Sequence, residues 1–353
     1  MAMLGTEILV RAIQRLGLRV APEKTEVVAF AGRHHDPLPE GIQLAGAHVP
    51  VRRHIKYLGL LVDGQWSFRA HFQAVLEKGE RVASSLGRLM PNLHGTGERQ
   101  RRLYAMVVNS IVLYGAPVWA DDLLRCRWGC VALRRLQRTM ASRLVCAYRT
   151  VSGVVAGMLA CTPPFELQAQ CLSRAFRATR DPPPGDPFPD VAELRRKARK
   201  EMIRQWSARV RDPRLPGAEV RFALGPVLRK WVDRPHRGQL TYRTTQMLAG
   251  YGSFGEYLHR IGKARTPKCE HCDAAVDTAR HTLAECPAWK AERRALCKVV
   301  GPDLSLAVLF RGMATDVVVW DAVVSFSEAV MLAKETAERD REARGRSPVG
   351  SAE

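Results

Sequence analysis

The most specific chemistry in this chain belongs to four side chains in its last third, Cys269, Cys272, His281 and Cys286, spaced C-x2-C-x8-H-x4-C. Thiolate sulfur and imidazole nitrogen at these separations can surround one Zn2+ ion as a tetrahedron. The C-x-x-C pair makes a tight knuckle, and the H-x4-C pair closes it from a short helix. Protein fills all four positions, so no corner is left for water and the ion is expected to be structural. His271 lies inside the C-x-x-C turn and competes for the nitrogen position, although that turn disfavours it. The bland alternative is a group of buried free cysteines beside an incidental histidine. Three thiolates and a neutral imidazole give the centre a net charge of about −1. Affinity for a polyanion must then come from Arg260, Lys263, Arg265, Lys268 and Arg280, which flank it on both sides.

Other catalytic signatures do not occur. A restriction-like nuclease needs Asp/Glu-x-Lys, and no lysine of the chain has an acid two positions before it. H-E-x-x-H, G-x-x-x-x-G-K and G-x-S-x-G are also missing. His34-His35 falls in a polar loop without a carboxylate cluster and reads as solvated. The 353 residues carry 55 basic and 35 acidic side chains, a formal charge of +20, with arginine outnumbering lysine four to one. Guanidinium forks bind phosphate oxygens bidentately and stack on bases, so the charge points to nucleic acid. A GC-rich gene would produce the same excess with no partner behind it. Six of the nine cysteines lie in helix-like or apolar contexts, as in a reducing compartment. No apolar run approaches the roughly 20 residues of a membrane helix, and no basic segment followed by an apolar one opens the chain. An intracellular protein with no membrane partner is expected.

Helices must position most of these residues. Residues 6–16 predict a short helix with Ile8, Leu9, Ala12, Ile13 and Leu16 on one face, followed by a strand at Glu26–Phe30. A polar loop at 31–41, a hairpin around Gly46 and a buried strand from Ile55 to Val62 complete a small α+β piece. Helical spacing then runs through Phe68–Met90, Glu98–Tyr114 and Val131–Tyr148, and Pro163-Pro164 opens another helix. Ala120-Asp121-Asp122 reads as a helix N-cap and first turn. Asp181–Pro187 is the clearest linker. Beyond it Val191, Leu194, Ala198, Met202, Trp206 and Val210 form one stripe, while Arg195, Arg196, Lys197, Arg199, Lys200 and Arg204 cover the rest of the helix. That basic face is equally consistent with a merely solvated surface and with one that tracks phosphates. After Lys334 an exposed, fraying helix is expected. The fold class is mainly α with a small α+β N-terminal piece.

The order of the motifs resembles the C-terminal part of the pol polyprotein of a non-LTR, type-1 retrotransposable element, the class inserting at ribosomal RNA genes. Gly17–Glu26 and Tyr57–Asp63 resemble the end of a reverse-transcriptase palm. Leu103-Tyr104 and Leu113–Trp119 resemble its thumb helices. Gln246–Gly252, Tyr257–Arg260, the Cys/His set, Asp277-Thr278, Cys286–Trp289 and Arg293 continue the match. The resemblance implies a palm end at 1–63 and a helical thumb at 64–150. A helical connector and linker follow at 151–190, then a basic nucleic-acid-binding region at 191–353 with the zinc knuckle at 269–286. It implies target-primed reverse transcription, with element RNA, target DNA and the remainder of the polyprotein as partners, and a nuclear location.

Within that resemblance Lys24 matches a lysine of the palm, a candidate acid or electrostatic partner for departing pyrophosphate, and equally an ordinary turn lysine. Tyr57, Leu58 and Gly59 match the primer grip, or else ordinary sheet core. The aspartates that would hold two Mg2+ ions for polymerisation are expected upstream of Gly17, outside this chain. It therefore reads as a fragment of an RNA-directed DNA polymerase whose family also carries endonuclease activity. The alternatives are a free-standing zinc-knuckle nucleic-acid-binding protein, or a C-terminal region assisting target-DNA cleavage.

Overall fold

The structure, a computed structural model, describes residues 2–30, 40–91, 95–181, 190–235 and 238–346. The loop with His34-His35, most of the proline-rich linker and the Gly/Ser/Pro end of the chain lie outside the described residues.

Helix α1 (Ala2–Arg15) and a 3-10 turn (Pro22–Lys24) lead into β1 (Val27–Val28), β2 (Gly41–Leu44) and β3 (Ala47–Arg52). β2 and β3 pair antiparallel with Leu44 opposite Ala47, and β1 runs parallel to β3 with Val27 opposite Val51. Val10, Leu44 and Val49 form a small core of their own. The expected helix stripe is wrong in detail, since Ile8, Leu9 and Leu16 face solvent while Val10 is buried. The neighbouring sheet consists of three short strands and covers α1 mainly through β2. The strand expected at Glu26–Phe30 shortens to two residues.

A larger correction concerns residues 55–62. They are not one buried strand but a hairpin of β4 (His54–Tyr57) and β5 (Leu60–Asp63), with Tyr57 opposite Leu60. Leu58 and Gly59 make the two-residue turn at φ 45° and 84°. Left-handed pairs of this kind match the twist of tight hairpins. Leu60 and Val62 enter the core, whereas Tyr57 and Leu58 stay exposed.

Helices make up the rest: α2 (Arg69–Arg88), α3 (Glu98–Val112), α4 (Ala116–Arg125), α5 (Arg127–Leu144), α6 (Gly153–Leu159), α7 (Phe165–Arg180) and α8 (Val191–Arg209). Then come α9 (Ala218–Leu224), α10 (Leu228–Val232), α11 (Tyr242–Ala249), α12 (Gly255–Arg260), α13 (Lys290–Val300), α14 (Leu306–Met313) and α15 (Val317–Arg346). In α2, Phe72, Leu76 and Ala83 are buried; in α5, Leu133, Leu136, Met140 and Leu144 are. Their three- and four-residue spacing makes one apolar face per helix. Ala120-Asp121-Asp122 is no N-cap, because it lies inside α4. Gly115, left-handed at φ 67°, and Pro117 start that helix earlier. Asp121 and Asp122 pair with Arg177 and Arg125.

One continuous apolar core extends from Leu60 to Met331, so helices on both sides of the linker share it. Trp231 stacks on Trp320 with ring centroids 5.4 Å apart, and the Arg234 guanidinium lies over both rings. Two arginines are themselves buried without a carboxylate. Arg101 donates to the carbonyls of Thr96, Arg143 and Pro91, and Arg221 to those of Pro216, Val210, Asp212 and Leu215. They satisfy loop and helix-end carbonyls that would otherwise be orphaned, and so offer no charge at the surface. Among the described residues no single helix is long and apolar enough to cross a membrane. α3 and α4, apolar enough only as a pair, meet at 81° and bury Val108, Val112, Trp119 and Leu123 in the core.

Candidate metal centre

The polypeptide leaves α12 through Pro267, whose carbonyl accepts from the Asp277 N–H, and turns at Cys269. The Cys269 N–H donates to the Ala274 carbonyl, closing the C-x-x-C turn. Thr278 Oγ1 accepts from the His281 N–H at 2.9 Å and starts the π-helical turn His281–Glu285, which delivers the last two candidate ligands. Arg293 of α13 donates to the Leu283 carbonyl at 3.0 Å and to the Cys286 carbonyl at 2.5 Å, pinning the far end of that turn.

These elements bring Cys269, Cys272, His281 and Cys286 together, every ligand atom within 4.8 Å of the others. Cys269 and Cys286 sulfurs are 3.9 Å apart, Cys272 and Cys286 sulfurs 3.8 Å, and Cys272 Sγ lies 3.3 Å from His281 Nε2. A tetrahedron with metal bonds of about 2.3 Å to sulfur and 2.1 Å to nitrogen has edges of about 3.8 Å and 3.6 Å. The donor set therefore fits one ion with four protein ligands. Cys269, His281 and Cys286 are buried. Burial pushes the Cys269 thiol up to about 12 and raises that of Cys286, so a metal must displace protons to bind. His281 Nδ1 faces Glu285 Oε2 at 3.7 Å. His271 stays outside the cluster, its ring 4.8 Å from that of Trp289.

Beneath the cluster lies a network that the spacing of the sequence does not reveal. Asp277 is buried against Lys334 of α15, with Nζ at 2.9 Å from Oδ1 and 2.7 Å from Oδ2. The same carboxylate accepts from the Gly255 N–H at 2.8 Å and Thr282 Oγ1 at 3.0 Å. It joins α12, the metal turn and α15 at one point. The segment after Lys334 is accordingly not simply exposed. Glu335 accepts from Arg243 and Gln246, and Glu338 from Ser253. Asp277-Thr278 stood out in the motif order, but its partner, 57 residues away, had no local signal.

The basic residues remain on several elements. On α8 all six face solvent. Arg196 and Lys197 pair with Glu193, Arg199 with Asp233 and Arg204 with Glu201, whose carboxyl that guanidinium holds at about 2. Arg195 and Lys200 have no ion-pair partner among the described residues. Near the metal cluster Arg260 lies over the rings of Tyr251 and Tyr257, Lys263 faces Glu338 and Glu342, and Arg280 faces Glu285. Arg265 and Lys268 are exposed. Lys24 is exposed at the end of its 3-10 turn. At the β4–β5 tip the Tyr114 hydroxyl donates to the Leu58 carbonyl at 2.9 Å, so the Tyr57–Asp63 and Leu113–Trp119 segments meet.

No family model and no solved structure matches the chain. It is similar to a 115 kDa protein in the type-1 retrotransposable element R1DM of Drosophila melanogaster. The two are 29% identical over 304 residues, 82% of this chain and 29% of that protein. It is also similar to a retrovirus-related Pol polyprotein from the type-1 retrotransposable element R1 of Bradysia coprophila, 29% identical over 78% of this chain and 28% of that protein. A Pol polyprotein from the element R1 4 of Nasonia vitripennis is 25% identical over 74% of this chain and 68% of its own length. The chain thus spans under a third of the first two relatives.

Proposed function

We propose, from the premise that this chain is homologous to the proteins of type-1 R1 retrotransposable elements, that it is a part of such a polyprotein that grips nucleic acid during target-primed reverse transcription. The observation that carries this reading is the similarity itself, which runs through 82% of the chain rather than through one motif. The reaction joins a deoxynucleotide to a 3′ end on an RNA template, and its two Mg2+ ions need aspartates that this reading places elsewhere in the polyprotein. What remains for these residues is binding and positioning.

The Cys269, Cys272, His281 and Cys286 cluster would hold zinc, whose preference for thiolate and imidazole in four-coordinate sites suits the donor set. The ion would brace the turn between α12 and α13 and leave no position for substrate. Arg265 and Lys268 beside it, with Arg195 and Lys200 on α8, are the cations freest to meet phosphates. The exposed Tyr57-Leu58-Gly59 tip, held from behind by Tyr114, would support the primer strand, with Lys24 in an electrostatic role nearer the reacting phosphates. A nuclear site of action follows from the same reading.

The test is a gel-shift and extension experiment with a primer annealed to a longer RNA template. The chain alone is expected to retain the duplex and to add no nucleotide when Mg2+ and deoxynucleotides are supplied. Template-directed extension by this chain would overturn the division of labour, and failure to retain any primer–template would overturn the binding role.

A further inference from the structure

A groove of about 540 Å3 lies between α8 and α10 and shares no residue with the metal turn. Lys197, Lys200 and Arg204 line it at three- and four-residue spacing, so they share one face of α8. Arg211 extends the row past the end of that helix, and Arg229 adds a cation from α10. All five are exposed. From Lys197 to Arg204 the helix rises about 10 Å, enough to meet two successive phosphates of one strand. Among the described lining residues Glu201 is the only acid. Arg204 pairs with it at 2.6 Å and holds its carboxyl at about 2, so it stays charged at neutral pH. Lys197 and Arg229 reach Glu193 and Asp233 only at 3.9 Å, and Lys200 and Arg211 have no ion-pair partner among the described residues. Five cations against one acid on a concave surface concentrate positive potential there. Ile203, Ser207 and Ala208 complete the lining, and no described lining residue is aromatic.

We propose that this groove holds the sugar–phosphate backbone of one strand of a duplex, without reading its sequence. Sites for unpaired strands combine cations with aromatic rings on which bases stack. This groove offers cations alone, and bases paired within a duplex need no such platform. Its lysines and arginines would meet phosphate oxygens through charge-assisted hydrogen bonds. Contacts of that kind position a duplex and carry no base information. Glu201 opposes them, because it occupies the Arg204 guanidinium and repels an approaching phosphate. This duplex site rests on the nucleic-acid reading above, and adds the form of the partner and the place where it lies.

Binding of the full chain to a short fluorescent DNA duplex, and to one of its strands alone, tests the groove across a salt series. The double change Lys200→Ala and Arg211→Ala removes two exposed cations and breaks no ion pair among the described residues. It is expected to weaken duplex binding tenfold or more at physiological salt, with single-strand affinity staying within threefold. The log–log salt slope for the duplex should flatten by about 1.8, or about 0.9 per lost phosphate contact. The double change Lys78→Ala and Arg81→Ala removes the same charge from exposed positions on α2 and should leave duplex affinity within threefold. Glu201→Gln should strengthen duplex binding threefold or more, a gain that misfolding cannot produce. Two duplexes of unrelated sequence should bind alike. Equal losses for duplex and single strand in the Lys200 and Arg211 double variant overturn the duplex assignment. Duplex binding that neither groove variant alters overturns the groove and leaves the general nucleic-acid reading standing. If the wild-type chain binds neither form at low salt, both fall.

Discussion

Cys269→Ser and His281→Ala each take one corner from the Cys3His cluster and are expected to lose bound metal, while His271→Ala, whose ring packs on Trp289, keeps it. Metal analysis of the purified variants checks this, and retention of one ion per chain in both ligand variants would mean another ligand set. Beside the cluster, Lys334→Met leaves the buried Asp277 carboxylate without its cation. Removing one partner of a buried pair costs about 3–5 kcal/mol, measurable as a lower urea midpoint. A loss below about 1 kcal/mol would show that water screens the pair, as at exposed pairs. The clustering of Cys269, Cys272, His281 and Cys286 was legible in the sequence because two turns close together in the chain space them, and spacing survives folding. The Asp277–Lys334 pair was not, because only the docking of α15 brings its two ends together.

Turn chemistry decides more at the scale of the element than hydrophobic runs do. Residues 55–62 read as one strand because their apolar content is nearly continuous, yet the left-handed Leu58-Gly59 pair folds them into a hairpin. At Gly59 a side chain would strain a backbone at φ 84° and stand 3.0 Å from the Tyr114 ring. Gly59→Ala is therefore expected to cost about 1–2 kcal/mol, and Tyr114→Phe about 1 kcal/mol through the lost bond to the Leu58 carbonyl. Equilibrium unfolding distinguishes these from an unanchored tip, for which both changes would be neutral. The long helices were legible from their apolar periodicity, with α2 and α3 close to expectation, whereas α5 starts and ends four residues before the Val131–Tyr148 stripe that marked it. α4 was not, because the Gly115 and Pro117 that read as a break are its start. The α8 face looked uniformly basic in sequence, but Glu193, Glu201 and Asp233 neutralise much of it.

For the whole molecule, the formal charge of +20 overstates the surface available to a polyanion. Arg101 and Arg221 are consumed inside the protein, and many others lie in ion pairs. The proposed reading, a body that would hold phosphate backbones for a polymerase centre elsewhere in the polyprotein, rests on the remaining exposed cations, the Cys/His turn they flank and the similarity to R1 element proteins. Each neutralised phosphate of a single strand releases about 0.7 of a counterion, so the logarithm of affinity falls with the logarithm of salt in proportion to the contacts made. The most direct measurement is the affinity of the metal-loaded chain for single-stranded RNA from low to physiological salt. The account predicts tight binding at low salt and a log–log slope of about −3 or steeper, equivalent to roughly four or more phosphates. Absence of binding at low ionic strength, or a slope near zero, would contradict it.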